Sequence, residues 1–401
     1  MILAYTPPSS TARGQTLGGA KHLAEETHDL AIIGAGCAGL SLAARLADIS
    51  PHLKIVLIDP RQTFEDDRTW CFWSAGNTPV EHLIDKRWQS WRFSNAEGRA
   101  ITHHAELSQY ACVRAERFYK STLHRIENAG FQLRLGETLR ELALDADCLR
   151  LLVGEDRVLA RNVVDTRTPQ HIKAKLFQVF SGVEVETEID RFELGQAGLM
   201  EDMGCDEYGF HFTYTLPFSS RRALIEFTRF SPIAMSATSL DSQLQALLTQ
   251  RGLNRARILR REHGVLPMGQ VIEPPSKDPR WVRAGAGAGA LRSATGYAFL
   301  RIQNWAETCA ASLARGGPPL AQQAEPPLRA WLDAVFLSAL TKQPTSAADY
   351  FLRMARALTP DAFARFMSDA ARSRDLAHLM TALPPMPFLS AAARVGLKGF
   401  A

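Results

Sequence analysis

The alternation of apolar runs with glycine and proline punctuation divides the chain into a cofactor-like start, a β-rich middle and a helical end. Asp29 to Ile33 is a short apolar run that stops at glycines, as a buried parallel strand does. Leu40 to Ala47 reads as a helix, with Pro51 after its end, and Lys54 to Asp59 (KIVLID) reads as a second buried strand. Strand, glycine turn, helix and strand within about 30 residues make a βαβ unit. Leu107 to Asn128 contains few breakers and is expected to be helical. Phe131 to Leu135, Leu149 to Val153 and Arg161 to Asp165 (RNVVD) are expected strands, the last ending at an acid. From Phe177 to Phe230 the runs become short and β-rich. They predict a mostly antiparallel sheet inserted into the first domain, over about residues 177–275. Trp281 to Ala290 returns to a strand followed by glycines, and Thr295 to Leu313 reads as a long helix. The region from Pro326 to Leu397 is expected to be helical, broken at Pro344, Pro360 and the Pro384-Pro385-Met386-Pro387 cluster.

The first turn carries Gly34-Ala35-Gly36-Cys37-Ala38-Gly39. In such a motif the first glycine permits a tight turn. The second lets backbone approach a pyrophosphate, and the third lets helix pack on strand. The phosphates would sit on a helix N-terminus, whose free N–H groups and dipole favour anions. Asp59 ends the second strand, where an acid can accept hydrogen bonds from ribose hydroxyls. A GxGxxG alone is weak, but here it follows a strand, opens a helix and is completed by this acid. Its place at the start of the chain, together with a second glycine-rich turn late in the chain, favours FAD over NAD. The expected fold is therefore α/β: a Rossmann-type FAD-binding domain of the glutathione-reductase type, an inserted β-sheet substrate domain and a helical C-terminal region (about 326–401).

Bulk properties narrow the partners. The chain has 401 residues, enough for a large core and a sizeable cavity. A net charge of +4 does not favour nucleic acid as a partner. Cys37, Cys71, Cys112, Cys148, Cys205 and Cys309 include no Cys-x-x-Cys pair, so no disulfide framework is expected and a reducing cytoplasm is the simplest compartment. No histidine clusters with acids or cysteines at ligand spacing, so no metal is assigned. Residues 1–27 lack the features of a signal peptide and are expected to form a disordered tail. No run of about 18 apolar residues occurs, which leaves open a protein that lies on a bilayer.

Several segments together resemble the lycopene cyclase family. They are DLAIIGAGCAGLSLA (29–43), EDDRTWCFW (65–73), LIEFTRF (224–230), EHGVLPM (262–268), RAGAGAGALRSATGYAF (283–299) and LPPMPFLSA (383–391). Their order and rough spacing match from about residue 28 to the end. The resemblance implies a reaction with reduced FAD and no net redox change, with NAD(P)H as the reductant. An acid protonates the end of a linear carotenoid such as lycopene, the cation closes a ring, and a neighbouring proton leaves.

The same resemblance implies roles for particular residues. Glu226 corresponds to the proposed proton donor. An apolar wall of Leu224, Ile225 and Phe227 would desolvate it and raise its pKa, as a general acid requires. Glu262 is a second candidate acid, with an ion pair to Arg260 or Arg261 as the alternative reading. Gly287, Gly289, Thr295 and Gly296 would form a second flavin contact, through a helix beginning near Thr295 whose N–H groups face the flavin's pyrimidine edge. Asp165-Thr166-Arg167 resembles the family's Asp-x-Arg and is assigned to cofactor binding, or only to capping its strand. Trp70, Phe72 and Trp73 are candidates to line a carotenoid tunnel. Pro384 to Val395, with Met386, Phe388, Leu389 and Val395 near Arg394 and Lys398, is a candidate membrane contact. One departure stands out: members carry a histidine in the late motif where this chain has Leu291-Arg292-Ser293.

Two rivals differ in class. An FAD monooxygenase or isoprenoid reductase shares the expected fold, but its hydroxylases carry Gly-Asp-x-x-His in the late motif, and Ala284 to Gly289 holds no aspartate. A carotenoid-binding scaffold with a vestigial flavin fold would be expected to have lost Asp59 or Glu226, and both are present.

Overall fold

The computed structural model describes residues 27–169 and 171–396. The residues expected to form a tail therefore lie, apart from Thr27, outside the described part. The chain runs β1 (Thr27–Ile33), α1 (Cys37–Ile49), β2 (Ile55–Asp59), β3 (Thr69–Ser74), β4 (Lys86–Trp88), β5 (Ser90–Asn95), β6 (Ala100–His104), β7 (Gln109–Arg114), α2 (Ala115–Asn128), β8 (Gln132–Leu135), β9 (Leu139–Leu144), β10 (Leu149–Val153) and β11 (Asp156–Asp165). It continues through β12 (Leu176–Glu186), β13 (Gln196–Asp206), β14 (Gly209–Pro217), β15 (Arg222–Ser231), α3 (Asp241–Gln250), β16 (Arg257–Met268), β17 (Trp281–Arg283) and α4 (Phe299–Ala314). The end is helical: α5 (Pro327–Lys342), α6 (Ala347–Ala357), α7 (Pro360–Met367), α8 (Ser373–Ala382) and α9 (Pro385–Val395). The breaks read at Pro344, Pro360 and the proline cluster at 384–387 fall between helices; Pro360 and Pro385 each open one, as does Pro327, where a missing N–H costs nothing.

The first sheet has the order β8-β2-β1-β11-β10-β9, with β17 beside β11. Its centre is parallel and buried, which is why Leu30 to Ile33 and Ile55 to Ile58 are continuous apolar runs. α1 and α4 pack together on this sheet, and the Gln303 amide donates to Ser41 Oγ at 2.8 Å between them. The second sheet, β16-β12-β15-β14-β13-β5-β6, carries the catalytic candidates. It is antiparallel except where β13 meets β5, which comes from far earlier in the chain. The helices α5 to α9 pack with one face of this sheet in the largest apolar core, which contains Trp91, Phe212, Phe230, Tyr350 and Phe363. A small third sheet, β3-β7-β4, joins the two.

Two expectations are corrected. The stretch from Leu107 to Asn128 is not one helix: Gln109 to Arg114 is strand β7, held between β3 and β4, and only Ala115 onward is helical. Tertiary pairing with two strands outweighs local propensity there. The late helix begins at Phe299, not near Thr295, because Gly296 sits at φ +72 in a closed turn with its N–H on Arg292 O at 2.8 Å.

Candidate active site

The glycine loop assembles as its spacing predicts. Gly34 has φ +98, and a Cβ there would lie 2.7 Å from Thr166 Oγ1. A Cβ on Gly39 would lie 1.9 Å from Gly34 O, so this position holds α1 against the loop. Gly36 has open space where a Cβ would point, and it lines a chamber of about 820 Å³. α1 opens at Cys37 with no side-chain cap and no acid in its first turn, so its N–H groups and dipole are free for an anion. Asp59 is buried. One oxygen accepts from Ala35 N–H at 2.6 Å and the other from Arg61 N–H at 2.9 Å, which ties β2 to the glycine loop. These features fit a dinucleotide.

The late glycines act differently from expectation. Thr295 and Gly296 line the chamber, whereas Gly287 and Gly289 are not among its lining residues. A Cβ on Gly287 would lie 2.7 Å from Arg167 O, so its role is close packing. Gly285, not singled out from the sequence, has φ +81, and a Cβ there would lie 2.9 Å from the Ala38 Cβ of α1. Asp165 lines the chamber, but its carboxylate is held by Arg167 at 2.7 Å.

On the second sheet the two glutamates come together. Glu226 on β15 and Glu262 on β16 both pair with Gly182 on β12, one from each side, and Tyr214 on β14 pairs with Glu226. Residues in such a row share a face. Because Gly182 has no side chain, the two carboxyls meet over it and hydrogen-bond. A Cβ at Gly182 would lie 2.8 Å from Glu226 Cγ and 3.4 Å from Glu262 Cγ. Glu262 is 3% exposed and Glu226 is partly buried, its open surface facing the chamber.

The surroundings make the pair unequal. Glu262 is ion-paired with Arg260 at 2.7 Å and accepts from Thr69 Oγ1 at 3.0 Å. Of the two arginines open from the sequence, Arg260 is its partner. Arg260 also pairs with the fully buried Glu184 at 2.7 Å and with Asp66 at 3.4 Å, and Arg114 and Arg222 complete this cluster. Burial works against the Arg260 cation, but Glu262, Glu184 and Asp66 outweigh it and raise its pKa. The segment EDDRTW thus supports the acids: Asp66 and Thr69 hold Arg260, and Thr69 also holds Glu262. Among the described residues Glu226 has no ion pair. Burial pushes its carboxyl well above the usual glutamate range, and the hydrogen bond and charge of Glu262 push it further. The raised pKa favours the neutral form of Glu226 beside an ion-paired partner.

Phenols enclose the pair. Tyr110 and Tyr297 share a hydrogen bond of 3.1 Å, Tyr214 lines the chamber with them, and burial raises the pKa of all three. Trp70 lines the chamber and stacks on Phe299 at 5.3 Å, but Phe72 and Trp73 are buried in the cores. Arg292, at the position of the family's histidine, is buried and pairs with Asp333 on α5 at 3.3 Å. Thr69, Gly182, Tyr214 and Glu184 were not singled out from the sequence. Only cross-strand register brings them to the acids, and register is not visible in one strand at a time. Among the described residues no group of acids, histidines and cysteines could hold a metal.

A glycine loop on an α/β sheet, opening into a chamber whose far wall is a second sheet, defines a flavoprotein fold of the FAD-binding kind. Solved structures agree on the fold. A geranylgeranyl bacteriochlorophyll reductase-like protein from Thermoplasma acidophilum is similar at TM-score 0.60 and 11% identity, over 92% of this chain and 98% of that one. The halogenase PltM in complex with phloroglucinol and FAD is similar at TM-score 0.57 and 12% identity, over 85% of this chain and 82% of that one. A family model described as "Lycopene cyclase protein" matches residues 29–393, and the chain belongs to this family. A lycopene beta-cyclase from Paracoccus sp. is 28% identical over 316 residues, 73% of this chain and 75% of that protein.

Proposed function

We propose that this chain is a lycopene β-cyclase that binds FAD in the chamber beneath the glutamate pair. The observation that carries the reading is the Glu226–Glu262 pair over Gly182, in the wall of the chamber that the glycine loop also lines. Gly34, Gly36, Asp59 and the α1 N-terminus would hold the dinucleotide, with Thr295 and Gly296 at its far side. Reduced FAD, kept so by NAD(P)H, supplies negative charge beside a carbocation when bound there.

Glu226 delivers its proton to the terminal double bond of lycopene. The resulting cation is attacked by the neighbouring double bond, and a six-membered ring closes. A proton on the adjacent carbon then leaves to a carboxylate of the pair, which gives the β-ionone ring. One proton enters and one leaves, so the step is an isomerisation, giving γ-carotene and then β-carotene. Arg260 and Thr69 hold Glu262 in place beside Glu226.

No helix among the described residues is long and apolar enough to cross a membrane. Lycopene is nonetheless held in lipid, so the protein works from the cytoplasmic side as a peripheral protein. Support comes from α9, where Met386 is 75% and Leu389 64% exposed near Arg394. Phe388 and Val395 differ from expectation: both pack inward, Phe388 against Tyr350 at 5.2 Å. Lys398 lies outside the described residues. Expression in cells that accumulate lycopene, with pigment chromatography and a flavin spectrum of the purified protein, tests the reading. Unchanged lycopene in cells containing the flavin-loaded protein refutes it.

A further inference from the structure

Beside the chamber lies a second cavity of about 460 Å³, between the face of the β12–β15 sheet and the helices α5 to α9. Its walls are apolar, with Phe212 and Phe230 on the sheet side and Val335, Phe336 and Phe351 on the helix side. Four residues line both cavities: Gln178, Tyr214, Thr295 and Tyr297. They form a partition, with both glutamates on the chamber side. Leu328, Met380 and Leu389 line the apolar cavity and are exposed, so it reaches the surface at a hydrophobic rim.

A linear substrate with one reacting end imposes a requirement on this layout. The end must touch Glu226, and the long apolar arm must leave the site somewhere. The chamber cannot take the arm, since Asp59, Arg61, Asp165 and Arg167 line it and desolvating such groups against hydrocarbon is costly. The apolar cavity can, but the partition stands between. Tyr297 is its movable part. It follows Gly296, at φ +72, and its hydroxyl is latched to Tyr110 at 3.1 Å. Tyr214, in contrast, sits within a strand paired on both sides.

We propose that the apolar cavity binds the polyene arm of the substrate, and that the ring of Tyr297 must turn aside for the acyclic end to reach Glu226. This rests on the cyclase reading and adds a binding site and a specificity residue to it. The phenol serves as a latch and takes no part in proton transfer.

Two arms test it, both with full-length, flavin-loaded protein and lycopene in phosphatidylcholine–phosphatidylglycerol vesicles. The first measures uptake, as pigment absorbance recovered with the protein. Val335→Trp fills the cavity far from the acids and is expected to cut uptake about tenfold, a change of about 1.4 kcal/mol in binding. Uptake equal to wild type removes the cavity from the path. The second arm measures turnover. Tyr297→Trp thickens the partition and is expected to lower kcat/KM by about tenfold or more while uptake persists. Tyr297→Phe keeps the ring and drops the latch, and its turnover should keep the pH profile of wild type, since the phenol transfers no proton. Wild-type turnover in Tyr297→Trp, or a changed pH profile for Tyr297→Phe, overturns the assignment. If Tyr297→Trp loses its flavin, Tyr214→Trp makes the same obstruction from the strand side and is judged by the same outcomes. A wild-type protein that takes up lycopene and forms no ring refutes the cyclase reading, and the uptake arm still decides the cavity.

Discussion

Replacing Gly182 by alanine should inactivate the site while leaving the fold intact. The new Cβ would lie 2.8 Å from Glu226 Cγ, and ordinary contact begins near 3.4 Å, so this carbon must retreat by about 0.6 Å. The Glu262 Cγ, at 3.4 Å, is already at that limit and blocks retreat in its direction. Glu226 must therefore leave a good rotamer or its hydrogen bond to Glu262, at about 0.5–1.5 kcal/mol for the rotamer alone. Alanine in a strand regains roughly 0.5–1 kcal/mol of backbone entropy over glycine, and Gly182 lies outside the left-handed region, so net stability should change little. Activity should not be spared. A reacting group displaced by about 1 Å can cost about 10²-fold, so a shift of this size predicts a fall in kcat of about 10- to 100-fold. The assay is conversion of lycopene by the purified flavin-loaded protein, read by pigment chromatography, with Tm and flavin content measured in parallel. Gly195→Ala is the control, because a Cβ there meets nothing within 4 Å. Wild-type turnover in Gly182→Ala would show that the carboxyl pair over this glycine is not the catalytic arrangement.

Glu226→Gln should lower cyclisation by about 10²–10⁴-fold or more with fold and flavin unchanged, since an amide cannot deliver the proton. If Glu226→Gln makes β-carotene at near wild-type rates and Glu262→Gln does not, the donor is Glu262; if both stay active, neither is. Activity should fall as pH rises through the raised pKa of Glu226, because the ionised form cannot donate. The stability effect has the same sign. The folded pKa lies above the unfolded one, so stabilisation is complete below the ordinary glutamate range and is lost at about 1.4 kcal/mol per unit as pH rises toward the folded pKa. Wild type should therefore lose more Tm than Glu226→Gln between neutral and alkaline pH, and equal losses in the two proteins would contradict the buried, protonated state. Gly36→Val should abolish flavin binding at little cost in stability, since its side chain would enter open chamber space; normal flavin content in the purified variant counts against the loop. Met386→Asp with Leu389→Asp should reduce co-sedimentation with anionic liposomes, and unchanged binding would exclude α9 as the contact.

The parts of the site legible in the sequence are those whose chemistry is local. Gly34, Gly36, Gly39 and Asp59 are fixed by a turn and the strand beside it, so spacing alone places them. Glu226 was found through its apolar neighbours and a family motif. Glu262 came with two arginines, and only the pairing of β16 with β12 selects Arg260. The partner that unites the acids, Gly182, sits in a run that reads as ordinary strand, because its function is the absence of a side chain between two others. The misread helix at Leu107 has the same origin. Tyr110 to Val113 are buried by strands that precede them by many residues, and no local pattern records that contact. The helix expected from near Thr295 begins only at Phe299, because Gly296 takes the left-handed conformation.

The parallel pairing of β13 with β5 has a consequence for how this protein is made and altered. The sheet that carries the acids borrows its edge strands, β5 and β6, from residues 90–104, while the rest comes from residues 176–268. On the ribosome those edge strands emerge first and must wait for their partner across the whole segment that builds β8 to β11. Loop closure of that length slows folding and leaves β5 with an open edge in the meantime. A graft that moves only the later strands into a sister enzyme would arrive without that edge. Chimeras meant to exchange substrate preference should therefore carry both segments or neither.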